Sequence, residues 1–157
     1  MLALLGSCMS WTPGWEGLAL PAGSASAEAN APGEALAGAE ALFENAGDAG
    51  RLQQAIRTYE ALLPSAPDPG AVLARLSEAH ILFGAAYADD KNAKAHAYIT
   101  GIRYAERAMA GNPAFRRRVE GGESLGDASA ELGRAEIRPM LFWVTGVSYY
   151  YKECLGG

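Results

Sequence analysis

The side chains that could do chemistry in this chain are few: two cysteines, two histidines and scattered carboxylates among 157 residues. Cys8 and Cys154 stand at opposite ends, and two thiols support neither a disulfide framework nor a zinc site. Cys154 has no histidine near it in sequence and sits in an apolar helical pattern, which predicts a buried, inert thiol. His80 and His96 are too far apart to be two ligands on adjacent helical turns; His80 is expected at a helix interface and His96 in solvent. Gly121 and Gly126 have phosphate-loop spacing, but Asp127 stands where that loop requires lysine, and its charge would repel a phosphate. Asp89-Asp90 is better placed to cap a following helix than to hold a metal. No carboxylate pair is set up for acid–base work. The residues predict a protein that is not an enzyme and takes no metal or cofactor.

Charge excludes another class. With a net charge of −5, the chain lacks the basic face that phosphate neutralisation demands, so no nucleic-acid partner is expected. Its one basic run, Arg116-Arg117-Arg118, is followed by Glu120 and Glu123 and reads as a solvated helix face.

Cys8 has a further reading. Met1-Leu-Ala-Leu-Leu-Gly-Ser-Cys8 places a leucine three residues before a cysteine, with small residues between, as in the end of a bacterial lipoprotein signal. The basic and most of the apolar part of a secretory signal are missing, so the expectation is a start further upstream. The competing reading is a leucine-rich N-terminus with an incidental cysteine. Residues 9–33 contain no Lys or Arg and are rich in Ala, Gly, Ser and Pro, which predicts a flexible tether of about 28 Å reach. Trp11 and Trp15 are unusual in a tether and would touch either a membrane or the folded part. The expected organisation is 1–8 partial lipoprotein signal, 9–33 tether and 34–157 helical domain, incomplete at its C-terminal end.

The elements follow from a helical hydrophobic period that begins at Glu34. Leu36, Ala39, Leu42, Phe43 and Ala46 share one face, and the helix ends near Gly47. Asp48 caps a second helix striped with Leu52, Ala55, Ile56, Tyr59, Leu62 and Leu63, which Pro64, Pro67 and Pro69 terminate. A third helix carries Val72, Leu73, Leu76, Ala79, Phe83 and Tyr87; a fourth, from near Asn92, carries Ala95, Tyr98, Ile102, Ala105 and Met109. A glycine-containing stretch from Val119 to Arg138 holds a short helix near Ser129–Leu132. A last helix runs from Met140 to Cys154, with Pro139 tolerated in its first turn. Its run Met140-Leu-Phe-Trp-Val144 is apolar all round, predicting burial on most of its circumference. No segment has strand period.

Two internal repeats organise these helices. Ala55, Tyr59, Leu62 and Pro67 match Gly101, Ala105, Ala108 and Pro113 in spacing; Phe83-Gly84-x-x-Tyr87 matches Thr145-Gly146-x-x-Tyr149. Small residues admit a neighbouring helix closely, and Asn112-Pro113 stops the fourth helix. The pattern follows, imperfectly, that of tetratricopeptide repeats. The fold class predicted is all-α, with tetratricopeptide-like antiparallel helix pairs stacked as a short solenoid. The third pair lacks its second helix within these residues, which leaves an apolar helix for another subunit or further sequence to cover.

The block from Tyr87 to Pro113, YADDKNAKAHAYITGIRYAERAMAGNP, resembles the T component (TatT-like) family of tripartite ATP-independent periplasmic (TRAP) transporters. Pro139-Met-Leu-Phe-Trp143 fits the aromatic helix start that follows the same interruption in that family. Two departures stand out: Ser148-Tyr149-Tyr150-Tyr151 replaces a tryptophan-rich continuation, and the chain stops short of the family's later helix pairs. The resemblance implies a periplasmic lipoprotein acylated at Cys8 and anchored to a bacterial membrane. It implies association with the solute-binding protein of a TRAP system and homo-oligomers with a hydrophobic pore. Phe83, Tyr87, Phe142, Trp143 and Tyr149 are the candidate residues facing a ligand or partner, although each alone is also what a core would contain. A generic tetratricopeptide lipoprotein scaffold for envelope assembly is the alternative.

Overall fold

The computed structural model describes Trp15 and residues 31–156. Cys8, Trp11 and the expected signal and tether, Trp15 and the last residues of the tether apart, lie outside the described residues. The described residues are all-α, with no strand among them.

Polar caps set where most of these helices begin. Helix α1 spans Ala31–Glu44 and α2 Ala49–Leu62. Asp48 accepts the Arg51 amide at 2.9 Å and so satisfies one of the donors left open at the start of α2. A 3₁₀ turn, Leu63–Ser65, leads to α3, Pro69–Ala86, where Asp68 accepts the Ala71 amide and Pro69 takes the first turn. Helix α4, Lys91–Met109, starts at Asp90, whose Oδ1 accepts the Asn92 and Ala93 amides at 2.8 and 2.9 Å. The capping role read for the acidic pair therefore falls to Asp90.

Asn112-Pro113 ends α4 and also begins a helix that the sequence pattern did not reveal, α5, Pro113–Glu120. Asn112 accepts the Ala114 and Phe115 amides, and the proline occupies a position where no amide is needed. A short α6, Leu125–Ala128, and two 3₁₀ turns, Ser129–Glu131 and Arg134–Glu136, follow. The turn Ser129–Glu131 stands where a short helix was expected. Helix α7 runs Ile137–Tyr149 and widens into a π-helical turn, Tyr150–Leu155.

The helices pack in sequence order, α1 on α2, α2 on α3 and α3 on α4. Helix α7 lies against both α3 and α4, as a third first-helix should in a stack of pairs. Glycine permits the close crossings. A Cβ at Gly84 would lie 2.6 Å from the Tyr98 ring, one at Gly101 2.7 Å from Ile81 Cγ1, and one at Gly146 2.8 Å from Ile102 Cγ1. The repeated Gly84 and Gly146 thus do the same job in α3 and α7. The tyrosine one turn on differs: Tyr149 stacks on Tyr98 with centroids 5.7 Å apart, whereas Tyr87 packs beside Phe83 and reaches back to the Ala46 carbonyl.

Two cores result. The larger joins α1, α2 and α3 around Tyr59, Leu76 and Ala79. The second joins the end of α4, the α5–α6 insertion and α7 around Phe115, and it includes Trp15. Of the two places open to Trp15, the folded part is the one it occupies: it is buried, with its ring 5.9 Å from that of Phe115.

Helix α7 is less enclosed than its composition suggests. One side, at Pro139 and Gly146, is buried, but Ile137, Leu141 and Val144 are each more than half exposed, as are Tyr151 and Leu155 beyond. An all-apolar run therefore does not imply burial all round here, because α3, α4 and the insertion cover one flank only. Contiguous exposed apolar surface promotes association. We expect the 157-residue chain to self-associate in sedimentation velocity, and Leu141→Lys combined with Val144→Lys to shift it toward monomer with its helical circular dichroism intact. A wild-type chain that stays monomeric at high concentration would contradict this.

Candidate functional site

A broad depression crosses the first helices of all three pairs. It has a volume of about 550 Å³ and lies between α1, the N-terminal half of α3, the end of α4 and the start of α7. Gly70, Ala71, Ala74, Ala108 and Gly111 contribute backbone and methyl groups to its lining, so the space exists because these helices carry short side chains where they face it. Leu36 adds an apolar patch on the α1 side.

Charges line the groove and hold one another. Arg75 on α3 donates to Glu40 on α1, its Nε lying 2.8 Å from Oε1, and its Nη1 donates to Glu78 Oε2 at 3.1 Å. Arg138 on α7 donates to the same Glu78 oxygen through Nη2 at 2.8 Å. The row Glu40–Arg75–Glu78–Arg138 therefore bridges α1, α3 and α7. Burial disfavours the Arg75 charge, but its bonds to Glu40 and Glu78 more than offset this, and its pKa is raised above the ordinary arginine value. Arg138 is the more exposed arginine and keeps part of its surface open to solvent. The residues lining the groove include no serine, cysteine or histidine. The arrangement presents fixed alternating charge beside a shallow floor of small side chains.

The five aromatic candidates do not converge on this groove. Phe83 and Tyr87 pack against the larger core. Trp143 packs on the second core and donates its indole N–H to Glu106 Oε1 at 2.9 Å. Tyr149 stacks on Tyr98, near the start of α4. Phe142 is half-buried on α7. Trp143 also lines a second, apolar cleft of about 460 Å³ beside the α5–α6 loop.

Cys154, His80 and His96 fall where the pattern placed them. Cys154 is buried, with Sγ 3.7 Å from the Lys91 carbonyl. His96 is exposed and His80 is packed between helices, its ring stacked on Tyr104 at 5.4 Å. His80 Nε2 lies 3.8 Å from Glu60 Oε1, and Glu60 in turn accepts the Tyr104 hydroxyl at 3.1 Å. Burial pushes the Tyr104 hydroxyl up to about 12, helped by the Glu60 charge. Arg107 lies over the other aromatic partner, its guanidinium 5.6 Å from the Tyr104 centroid. Among the described residues no group of three His, Cys, Asp or Glu side chains could hold a metal ion. No described helix is long and apolar enough to cross a membrane.

His80 makes stability depend on pH. Burial lowers its pKa below the ordinary imidazole value, against the opposing pull of Glu60 and with some help from His96. The folded state therefore binds the proton less readily than the unfolded chain. The His80 contribution is fully present above about pH 6.5 and is lost as pH falls from there through the lower folded value. The denaturation midpoint should decline as pH falls below about 6.5, and His80→Gln should flatten that decline. A slope equal in both proteins would assign it elsewhere.

Sequence reasoning missed two features and left the place of a third, Trp15, open between membrane and fold. The Arg75–Glu78 pair was visible as an i, i+3 spacing, but its bridges to Glu40 and Arg138 span three helices and leave no local trace. Glu106 looks like any helix-surface glutamate, yet it is fully buried. Trp15 offered only its oddness in an otherwise small-residue stretch. No family model matches this chain, and no curated protein or solved structure matches it either.

Proposed function

We propose that this chain is a non-enzymatic helical-repeat scaffold that holds a partner protein in the groove crossing α1, α3 and α7. The observation that carries the reading is that groove: one surface shared by three successive first helices, floored by small side chains and edged by Arg75, Arg138, Glu40 and Asp68. Such a surface suits an extended or helical segment of another protein better than it suits bond making.

The partner we propose is the solute-binding protein of a TRAP-type uptake system, with the chain anchored to a bacterial membrane through Cys8 and working in the periplasm. The support is the block Tyr87 to Pro113, which spans the approach to α4, the helix itself and the Asn112-Pro113 junction. The start of α7, from Pro139 to Trp143, adds the second part of the resemblance.

The test is calorimetry with a TRAP-type solute-binding protein from the same organism. Saturable binding is expected, and Ala71→Trp, which fills the groove from an exposed floor position, should weaken it at least tenfold. Arg138→Glu should do the same through charge, while exposed Arg117→Ala should leave it unchanged. Absence of binding to that protein would remove the transport assignment; binding indifferent to Ala71→Trp would remove the groove.

A further inference from the structure

The exposed face of α7 has a regular spacing. Ile137, Leu141, Val144, Ser148 and Tyr151 are all exposed and follow one another at intervals of four, three, four and three residues. Those intervals make the heptad seam along which one helix sets its side chains between those of another. Such a seam is narrower than the apolar face that a core or a lipid surface takes. Ser148, the polar member of the seam, donates its hydroxyl to the Val144 carbonyl at 2.8 Å. The seam therefore presents no unmet donor there, and the small side chain leaves room for a larger one from a partner.

The two flanks of the seam differ. On one, Met140 packs on the second core and Cys154 is buried, so the fold itself covers that side. On the other, Arg138, Thr145 and Lys152 recur at intervals of seven residues. Arg138 and Lys152 are exposed, and Thr145 turns its hydroxyl back to the Leu141 carbonyl at 2.8 Å. The acid next to Lys152 is already engaged: Glu153 Oε2 pairs with Lys94 Nζ at 2.7 Å and accepts the Tyr98 hydroxyl at 3.1 Å. The open flank thus carries a positive charge at each end and no acid at the position between them. A second copy of the chain fits this poorly, because antiparallel pairing of two α7 seams sets Arg138 of one against Lys152 of the other. The self-association expected of the chain alone is the weaker contact of an apolar stripe at high concentration.

We infer that α7 docks an amphipathic helix of another protein, apolar along its own seam and acidic along the edge that meets Arg138 and Lys152. Charges flanking such a seam select the partner, while the apolar positions supply the contact area. Arg138 also lines the groove, but the seam runs away from it along α7, and the inference does not depend on what the groove holds.

The experiment uses the full chain and two synthetic helices of about three heptads. Each has leucine at every seam position and either glutamate or lysine at every flanking position, so like charges keep each peptide from pairing with itself. Fluorescence anisotropy is expected to show saturable binding of the glutamate peptide, with the lysine peptide weaker on the order of tenfold. Leu141→Ser combined with Val144→Ser should remove the binding, while Arg117→Ala leaves it unchanged. Should that pair lose its helical circular dichroism, Leu141→Ala takes its place with the same direction expected. Lys152→Glu, at an exposed position, should cancel the preference between the peptides. Equal affinities, a preference indifferent to Lys152→Glu, or no binding of either peptide would overturn the inference. So would a stable dimer that the glutamate peptide does not dissociate, which would identify a second copy as the occupant. Flotation with phosphatidylglycerol vesicles that the serine pair abolishes, with neither peptide bound, would identify a lipid surface instead.

Discussion

Replacing Gly101 with leucine is expected to cost about 3 kcal/mol, the upper end of the range for an overfilled helix crossing. A Cβ there would already sit 2.7 Å from Ile81 Cγ1 and 2.9 Å from the Ser77 carbonyl oxygen. The isoleucine can rotate, but the carbonyl belongs to α3 and cannot withdraw without moving the helix. α3 and α4 form the most extensive helix pair here, so the strain is not confined to one side chain. In thermal unfolding the loss corresponds to roughly 6–12 °C for a chain of this size. Two controls separate packing from backbone effects. Gly38→Ala, in α1, meets nothing within 4 Å and should raise stability by up to about 1 kcal/mol through helix propensity alone. Arg117→Ala, at an exposed position, should change little. Arg107 is no such control, because its guanidinium packs over Tyr104 and its Nε is buried. Equal midpoints for Gly101→Leu and Gly38→Ala would refute the crossing.

That crossing was legible because it leaves a signature in spacing. Gly101, Ala105 and Ala108 recur on one face of α4, and all three are buried. The caps were legible for the same reason: Asp48 and Asp90 stand one residue before a helical stripe and bond the first amides. Helix α5 was not. In its eight residues only Phe115 and Val119 mark an apolar face, three arginines interrupt it, and Pro113 reads as a terminator until the next helix is seen to begin on it. The exposed stripe on α7 was also invisible, since composition reports how apolar a helix is and not which flank its neighbours cover. The groove and the cleft are properties of contacts between helices far apart in sequence. Their residues are ordinary in isolation, and only Trp143 among the aromatic candidates lines either one.

Glu106 illustrates that limit most strongly, and its removal should be as damaging as the overfilled crossing. In sequence it is one of several glutamates on an amphipathic helix; in the fold its side chain has no exposed surface. Its carboxylate accepts the Trp143 indole N–H at 2.9 Å and pairs with Arg103 Nη1 at 3.2 Å. The Trp143 bond ties α4 to α7 across the second core. Glu106→Ala would leave that N–H buried without its acceptor and open a void behind the ring. Breaking a buried charged pair from one side costs several kcal/mol, while the partly exposed Arg103 can recover some of its loss from water; we expect about 3 kcal/mol. Glu106→Gln keeps an oxygen for the indole and the side-chain volume, so its cost should be clearly smaller. Trp143→Phe removes the donor but keeps most of the ring, and in combination with Glu106→Ala the two losses should be less than additive if they share one bond. Urea unfolding of the two single variants and the double variant measures this directly. Strict additivity, or a Glu106→Ala cost no larger than that of exposed Glu120→Ala, would show that the carboxylate does not hold the indole in place.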